Sequence, residues 1–208
     1  MEQLKSAKVG DAVFFGSYEQ DDDLQNGEED IEWIVLDIQD GKVLLISRYS
    51  LSWQRYNNDD TIVTWETCTL REWLNNDFMN FAFSDTEKNI ISVVKVSADK
   101  NPDYDTNPGN DTYDKVFLLS VSEAKKYFSP SNSYLRHHLK CQGTRVVNKS
   151  LGIYVNSSYW WLRTHGQTES SAAYVCYEIA SHGTAAYTKS FDMACGVRPA
   201  LWIDLSFQ

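Results

Sequence analysis

Two short runs constrain this chain more than any other feature: Tyr159-Trp160-Trp161-Leu162-Arg163, and Val197-Arg198-Pro199-Ala200-Leu201-Trp202 near the C-terminus. Each sets bulky apolar groups and a single arginine on a short extended segment, the pattern of a central strand covered on both faces. A guanidinium in such a segment must face carboxylates or carbonyls, because burying an unpaired charge is strongly unfavourable. Arg163 and Arg198 are therefore expected to be structural, tying strands and loops together through their N–H donors, with Glu72 and Asp204 as candidate partners.

The rest of the chain supplies elements for these strands to pack against. Ala12-Val13-Phe14-Phe15, ended by Gly16, reads as a first strand. Ile31–Ile38 and Lys42–Ser47 are β-prone runs joined through Asp40-Gly41, a pair that accepts the positive φ angles of a type I′ hairpin turn. Trp33 and Val35 alternate with Ile34 and Leu36, so both faces of the first hairpin strand are apolar and it should lie inside a sheet. Thr69–Glu72, Ser84–Glu87 and Ser120–Glu123 each fit the capping box and predict three helix starts. The first helix would present Leu70, Trp73 and Leu74 and end at Asn75-Asn76-Asp77. The second leads through Ile90-Ile91 into a strand at Val93–Val96, and the third ends before Pro130. Ala98–Asp114 reads as a surface loop, Lys115–Ser120 as strand, and a short helix is a candidate after Thr144. The C-terminal part predicts strands at Tyr159–Arg163, Ala172–Ile179, Ala185–Tyr187 and Val197–Ile203, with a turn at Ser181-His182-Gly183. Strands at both ends with helices between them predict one α+β domain over 1–208, its termini sharing a sheet.

A formal net charge of -10 and a pI near 4.8 argue against a sequence-independent nucleic-acid binder and against a membrane-surface protein, both of which need clustered Lys and Arg. The same acidity permits a cation site or a basic partner. No stretch approaches the run of about 18 apolar residues that crosses a bilayer, and Met1–Gly10 has no apolar core of a leader, so the default expectation is cytoplasmic. An extracellular place would need a leader outside this sequence. Cys68, Cys141, Cys176 and Cys195 show neither a CxxC pair nor zinc spacing and read as buried free thiols. A disulfide between Cys176 and Cys195 stays open at this point.

The ordered set Ile31–Leu36, Leu44–Ser47, Tyr56-Asn57, Leu70–Asn75, Phe117–Ser120, Trp161–Arg163 and Val197–Leu201 resembles a bacterial family of domains of unknown function common in Gram-positive gut organisms, over Val9 to Ile203. More distantly, a Trp-x-Leu-Arg strand followed by a terminal Gly-x-Arg-Pro strand is similar to the C-type-lectin-like fold, in the branch that includes formylglycine-generating enzyme. That resemblance implies a twisted antiparallel sheet with its first and last strands paired and short helices between. It also draws attention to Cys176 and Cys195, because that branch holds copper on two cysteines. There they form a close Cys-x4-Cys pair, whereas here they lie in separate segments.

Asp99, Asn101, Asp103, Asp105 and Asn107 alternate like the ligands of a calcium loop, but Tyr104 stands where the turn glycine belongs and no glutamate closes the loop. A plain polar loop is expected there, with no metal and no cofactor. His137, His138, His165 and His182 lack zinc-protease spacing, and His165 and His182, each near a glycine, read as loop histidines. If the protein has a pocket, it is expected near Trp53, Tyr56, Trp160, Arg163 and His165, where aromatic faces and a cation could meet a flat or anionic ligand. The functional expectation is a non-catalytic binding or interaction module for a glycan, another small molecule or a protein. One alternative is an oxidase of the formylglycine-generating type using Cys176 and Cys195. Another is an assembly component whose acidic loops, Asp21–Asp30 and Asp99–Asp114, meet a basic partner.

Overall fold

The computed structural model describes residues 2–59, 61–151, 159–176, 186–191 and 193–206. A short helix, α1 (Glu2–Ser6), precedes β1 (Ala12–Tyr18), β2 (Glu29–Gln39), β3 (Lys42–Ser47) and β4 (Ser52–Arg55). The middle holds α2 (Thr69–Trp73), a π turn (Leu74–Phe78), α3 (Met79–Ala82), α4 (Asp85–Ile90), β5 (Val94–Val96), β6 (Thr112–Asp114), β7 (Val116–Phe117) and α5 (Val121–Tyr127). A 3₁₀ turn (Arg136–Leu139) and α6 (Arg145–Leu151) lead to β8 (Trp160–His165), β9 (Ser171–Val175), β10 (Ala186–Ser190), β11 (Ala194–Val197) and β12 (Ala200–Asp204).

The hairpin forms as its sequence requires. Asp40 and Gly41 take φ angles of 49° and 73°, and Gln39 faces Lys42 across the turn. This turn twists in the same sense as the strands it joins, which lets β2 and β3 stay paired. They become the second and third strands of a sheet ordered β1-β2-β3-β12-β7. A second sheet is ordered β10-β9-β8-β11-β4, and β5 pairs with β6 in a separate ribbon. β8 is buried along its whole length, as expected for the Trp-Trp strand, although its pairing with β11 is parallel, at Gly196 and Trp160.

Three expectations need correction. Val197–Ile203 is not one strand: β11 belongs to the second sheet and β12 to the first, and Arg198-Pro199 carries the chain between them. Proline has no N–H for a sheet ladder and restricts the residue before it, so the run breaks where the pyrrolidine sits. The first and last strands share a sheet but are not paired, because β2 and β3 lie between β1 and β12. The first helix neither starts with a capping box nor ends at Asn75–Asp77. Cys68 is its N-cap without a side-chain bond, and the Thr69 hydroxyl accepts from the Asn58 N–H at 3.0 Å. Asn75 instead turns toward β7, donating to the Val116 carbonyl (2.8 Å) and accepting from the N–H groups of Lys115 (3.0 Å) and Val116 (3.2 Å). Those bonds coincide with the π turn, through which the helix runs on to Ala82. The boxes at Ser84 and Ser120 form in full, each glutamate reaching back to the N-cap N–H.

The buried side chains make one cluster that runs across both sheets and the helices between them. Its first half is aromatic: Phe15, Trp33 and Phe78 gather around Phe83 at ring distances of 5.3, 6.3 and 5.8 Å. β1 lies at the edge, where unpaired N–H groups invite association. Here the Phe14 N–H donates to Gln3 and the Gly16 N–H to Glu87, so side chains cover the edge. Gly16 has φ 68°, and a Cβ there would stand 2.5 Å from the Ala82 carbonyl oxygen and 2.6 Å from the Phe83 ring. Gly16→Ala should therefore lower unfolding stability by about 2 kcal/mol or more, against about 1 kcal/mol for the cap variant Ser84→Ala, both read by urea denaturation.

Candidate functional site

Arg163 points from β8 into a polar cluster. Its guanidinium takes both oxygens of Glu123, with Nη2 3.1 Å from Oε1 and Nη1 also bound, and lies 3.6 Å from Asp99. Nη1 donates to the Leu118 carbonyl at 2.9 Å and Nε to the Ser97 carbonyl at 3.2 Å. The expected partners Glu72 and Asp204 are elsewhere; the charge partner is the glutamate that caps α5. Glu123 thus serves the helix N–H and the buried cation together, and the Ser120 hydroxyl adds a 2.7 Å bond to Asp99. Bidentate pairing of this kind fixes geometry as well as charge.

The five residues expected around a pocket are partly brought together. The Tyr56 hydroxyl donates to the Arg163 carbonyl at 2.7 Å, and its ring stacks on Phe191 at 5.0 Å. His165 meets the same Phe191 ring edge-on at 5.8 Å. Trp160 stands apart, packed with Phe128 and donating to the Leu139 carbonyl. Trp53 is half-buried on β4, with the Lys189 ammonium 5.6 Å from its ring. Tyr56, Trp160, Arg163 and His165 are all buried, so their aromatic faces are occupied by neighbouring side chains. Beside Arg163 and His165 there is a cleft of about 10 Å³, lined also by Trp65, Asp99 and Pro108, room for a single water. The expectation of a surface loop histidine fails for His165, which is 2 % exposed; His182 lies outside the described residues.

The Asp/Asn loop turns Asn101 and Thr106 inward and leaves Asp103, Asp105 and Asn107 exposed. Asn101 donates to the His165 carbonyl at 2.6 Å and Thr106 to the Gly166 carbonyl at 3.1 Å, and the Asn101 and Asn107 side chains accept N–H groups within the loop. A different acidic group converges: one carboxylate oxygen each from Glu19, Asp21 and Glu29 lies within 4.8 Å of the others, all three half-buried.

A wider opening lies along the start of α2. This groove of about 310 Å³ is bordered by Glu66, Thr67, Arg71, Glu72, Asn75 and Asn76, with Cys68 at its floor. Arg71 is held in place from behind: Nε and Nη2 meet Asp114 at 2.8 and 2.7 Å, and Nη1 donates to the Glu66 carbonyl. Asp114 is buried and also accepts from the Trp65 indole (3.0 Å) and the Thr112 hydroxyl (2.6 Å). Its partners neutralise it internally, leaving Glu66 and Glu72 to set the field of the groove. Sequence reading passed over these residues because Glu72 fitted a capping box; the signal available was Arg71, a second cation between apolar helix positions. Three of the thiols, Cys68, Cys141 and Cys195, are held in the protonated, weakly nucleophilic form. Burial pushes Cys68 and Cys195 up to about 12 and raises Cys141, while Cys176 is half-buried, and all four are unbridged.

Two outcomes follow from this geometry. Glu123→Gln keeps the size of the cap but leaves the buried Arg163 with Asp99 alone, and should cost about 2 kcal/mol in denaturant unfolding, given Glu123's partial exposure. Burial, reinforced by His137 and Arg198, lowers the His138 pKa to about 4. The unfolded chain takes this proton near pH 6.5 and the folded protein only near 4, so stability falls as the pH is lowered through that window. His138→Asn should flatten the decline between about pH 6.5 and 4.5 in thermal unfolding curves.

No helix among the described residues is long and apolar enough to cross a membrane. No curated protein and no solved structure matches the chain. One family model does, a domain of unknown function (DUF6273), over residues 40–205, which begins at the hairpin turn and leaves β1, β2 and the acidic Asp21–Asp30 segment outside. That span takes in both arginines, the Arg163 cluster and the groove, and on it the chain belongs to the DUF6273 family of domains of unknown function.

Proposed function

We propose that the protein is a non-catalytic binding module, one domain over 1–208, whose ligand seats in the Glu66–Asn76 groove. The observation that carries this reading is the groove itself: about 310 Å³ of open volume bordered by polar groups, among them Arg71, which the buried Asp114 and the Glu66 carbonyl hold in place. Preorganised polar walls recognise small molecules without having to be ordered by them. The groove lacks an aromatic platform, which favours a hydroxyl-rich or amine-bearing ligand, such as a glycan, over the flat anionic ligand expected from the aromatic content. Glu66 and Glu72 accept, Asn76 both donates and accepts, and neither carboxylate welcomes an anion.

A distant kinship with the C-type-lectin-like fold is supported by the central Trp-x-Leu-Arg strand and by first and last strands within one sheet. The separation of those strands by the hairpin counts against it. The oxidase alternative needs two thiolates on copper, and burial of Cys195 opposes ionisation of one of them. A basic protein partner is favoured only at the first acidic segment, where Glu19, Asp21 and Glu29 converge.

Ligand-detected NMR with a neutral sugar, the matching amino sugar and the matching sugar phosphate tests the proposal. The neutral or amino sugar should bind, the phosphate should not, and Glu72→Gln with Asn76→Ala should weaken binding about tenfold or more, the scale of one or two lost polar contacts. Binding untouched by those substitutions, or turnover of any of the three compounds, would contradict it.

A further inference from the structure

His165 ends β8 with its imidazole buried, and neither ring nitrogen makes a hydrogen bond among the described residues. Buried imidazole nitrogens are normally partnered, so a ring whose nitrogens lack a well-aligned protein partner is poorly prepared to carry a second proton and a charge. The loop closing over it is fastened at this same point. Asn101 donates to the carbonyl of His165, Thr106 to the carbonyl of Gly166, and the Asn107 N–H to Oε1 of Glu169 at 3.1 Å. The other Glu169 oxygen, Oε2, stands 3.8 Å from Nδ1 of His165, too far for a hydrogen bond but the nearest carboxylate to it.

We infer that His165 is a proton-sensitive latch: neutral, it lets the 98–110 loop close over the end of β8, and protonated, it releases that loop.

An imidazolium carries two N–H donors and a charge, and each needs an acceptor or water. The groups facing it are few. From its own strand comes Arg163, a cation already committed to Glu123; from the turn after β8 comes Glu169; from the loop comes Asp99, engaged by Ser120 and Arg163. Phe191 covers it edge-on, itself stacked on Tyr56, and the segment before Trp65 adds the Val63 carbonyl. Glu169 can approach Nδ1 only by giving up or bending its bond to Asn107. For the other N–H the enclosure offers the Val63 carbonyl and a cleft with room for one water, so fuller hydration of the charged ring requires that cleft to widen. Both adjustments loosen the same loop. Burial already works against the charged ring and outweighs the pull of Glu169, in keeping with a closed state that holds His165 neutral.

Native-state hydrogen exchange of the full chain, followed by NMR and corrected for intrinsic rates, tests the latch. The Asn107 and Asp103 amides report the loop, and amides of β2 and β3 report global unfolding. Below about pH 6.5 the loop opening constant should rise by up to about tenfold per pH unit, the slope of a single linked proton, while the loop amides stay less protected than the hairpin amides, whose own decline also carries His138. His165→Phe should remove the slope, and His165→Gln supplies the same reading if the phenylalanine variant does not fold. The inference is overturned if the wild-type loop shows no slope down to about pH 5, if the loop amides open only at the free energy of the hairpin amides, or if the variants keep the wild-type loop slope.

Discussion

The structure depends on a fully buried guanidinium. Arg198 is 0 % exposed, 5.1 Å from the Trp160 ring centre and 5.6 Å from that of Phe128. Its Nε donates to the Ser47 carbonyl and its Nη1 to the His138 carbonyl, each at 2.7 Å. Ser47 ends β3 in the first sheet, Trp160 begins β8 in the second, and Arg198 stands where the chain passes from one to the other. Desolvation lowers its pKa, because burial penalises the charged form. Carbonyl dipoles and ring faces offset that cost, and removing any one of them would leave the others with a buried charge.

Around this crossing the backbone is fastened in register. The Ser47 N–H donates to the Pro199 carbonyl and the Leu51 N–H to the Val197 carbonyl, both at 2.9 Å, so the end of β3 and the approach to β4 are fixed to either side of Arg198. Arg163 does comparable work at the other end of β8, gathering α5 and the segment before Asp99 through Glu123 and two carbonyls. The two arginines therefore frame the central strand, one with carboxylates and one without. The groove and the loop over His165 lie outside that frame, on segments it positions. Function placed there could vary without disturbing the core.

Much of the frame was legible in the residues. Asp40-Gly41 announced its hairpin, Ser84 and Ser120 their helix caps, and the Trp-Trp strand its burial, because each rests on local chemistry that few contexts override. Thr69 carried the same signature and failed, since a tertiary contact with Asn58 claimed its hydroxyl. The division of Val197–Ile203 was signalled by Pro199, but a proline between apolar residues does not say which sheet each half will join. The site was less legible. Tyr56 and Trp160 have the composition of a ligand platform, and only packing reveals that other rings occupy their faces. Glu66, Arg71 and Asn76 look like any solvated helix start, and their convergence depends on Asp114, some forty residues away in the chain.

If Arg198 joins the two sheets into one cooperative unit, hydrogen exchange of Arg198→Met will show both sheets weakened together. The substitution keeps an unbranched apolar stem but leaves the Ser47 and His138 carbonyls without their donors. Protection should fall by about 2 kcal/mol or more, shared by amides of β2 and β3 in one sheet and of β8 and β9 in the other. A loss within about 0.5 kcal/mol, or one confined to a single sheet while the other keeps its protection, would contradict it.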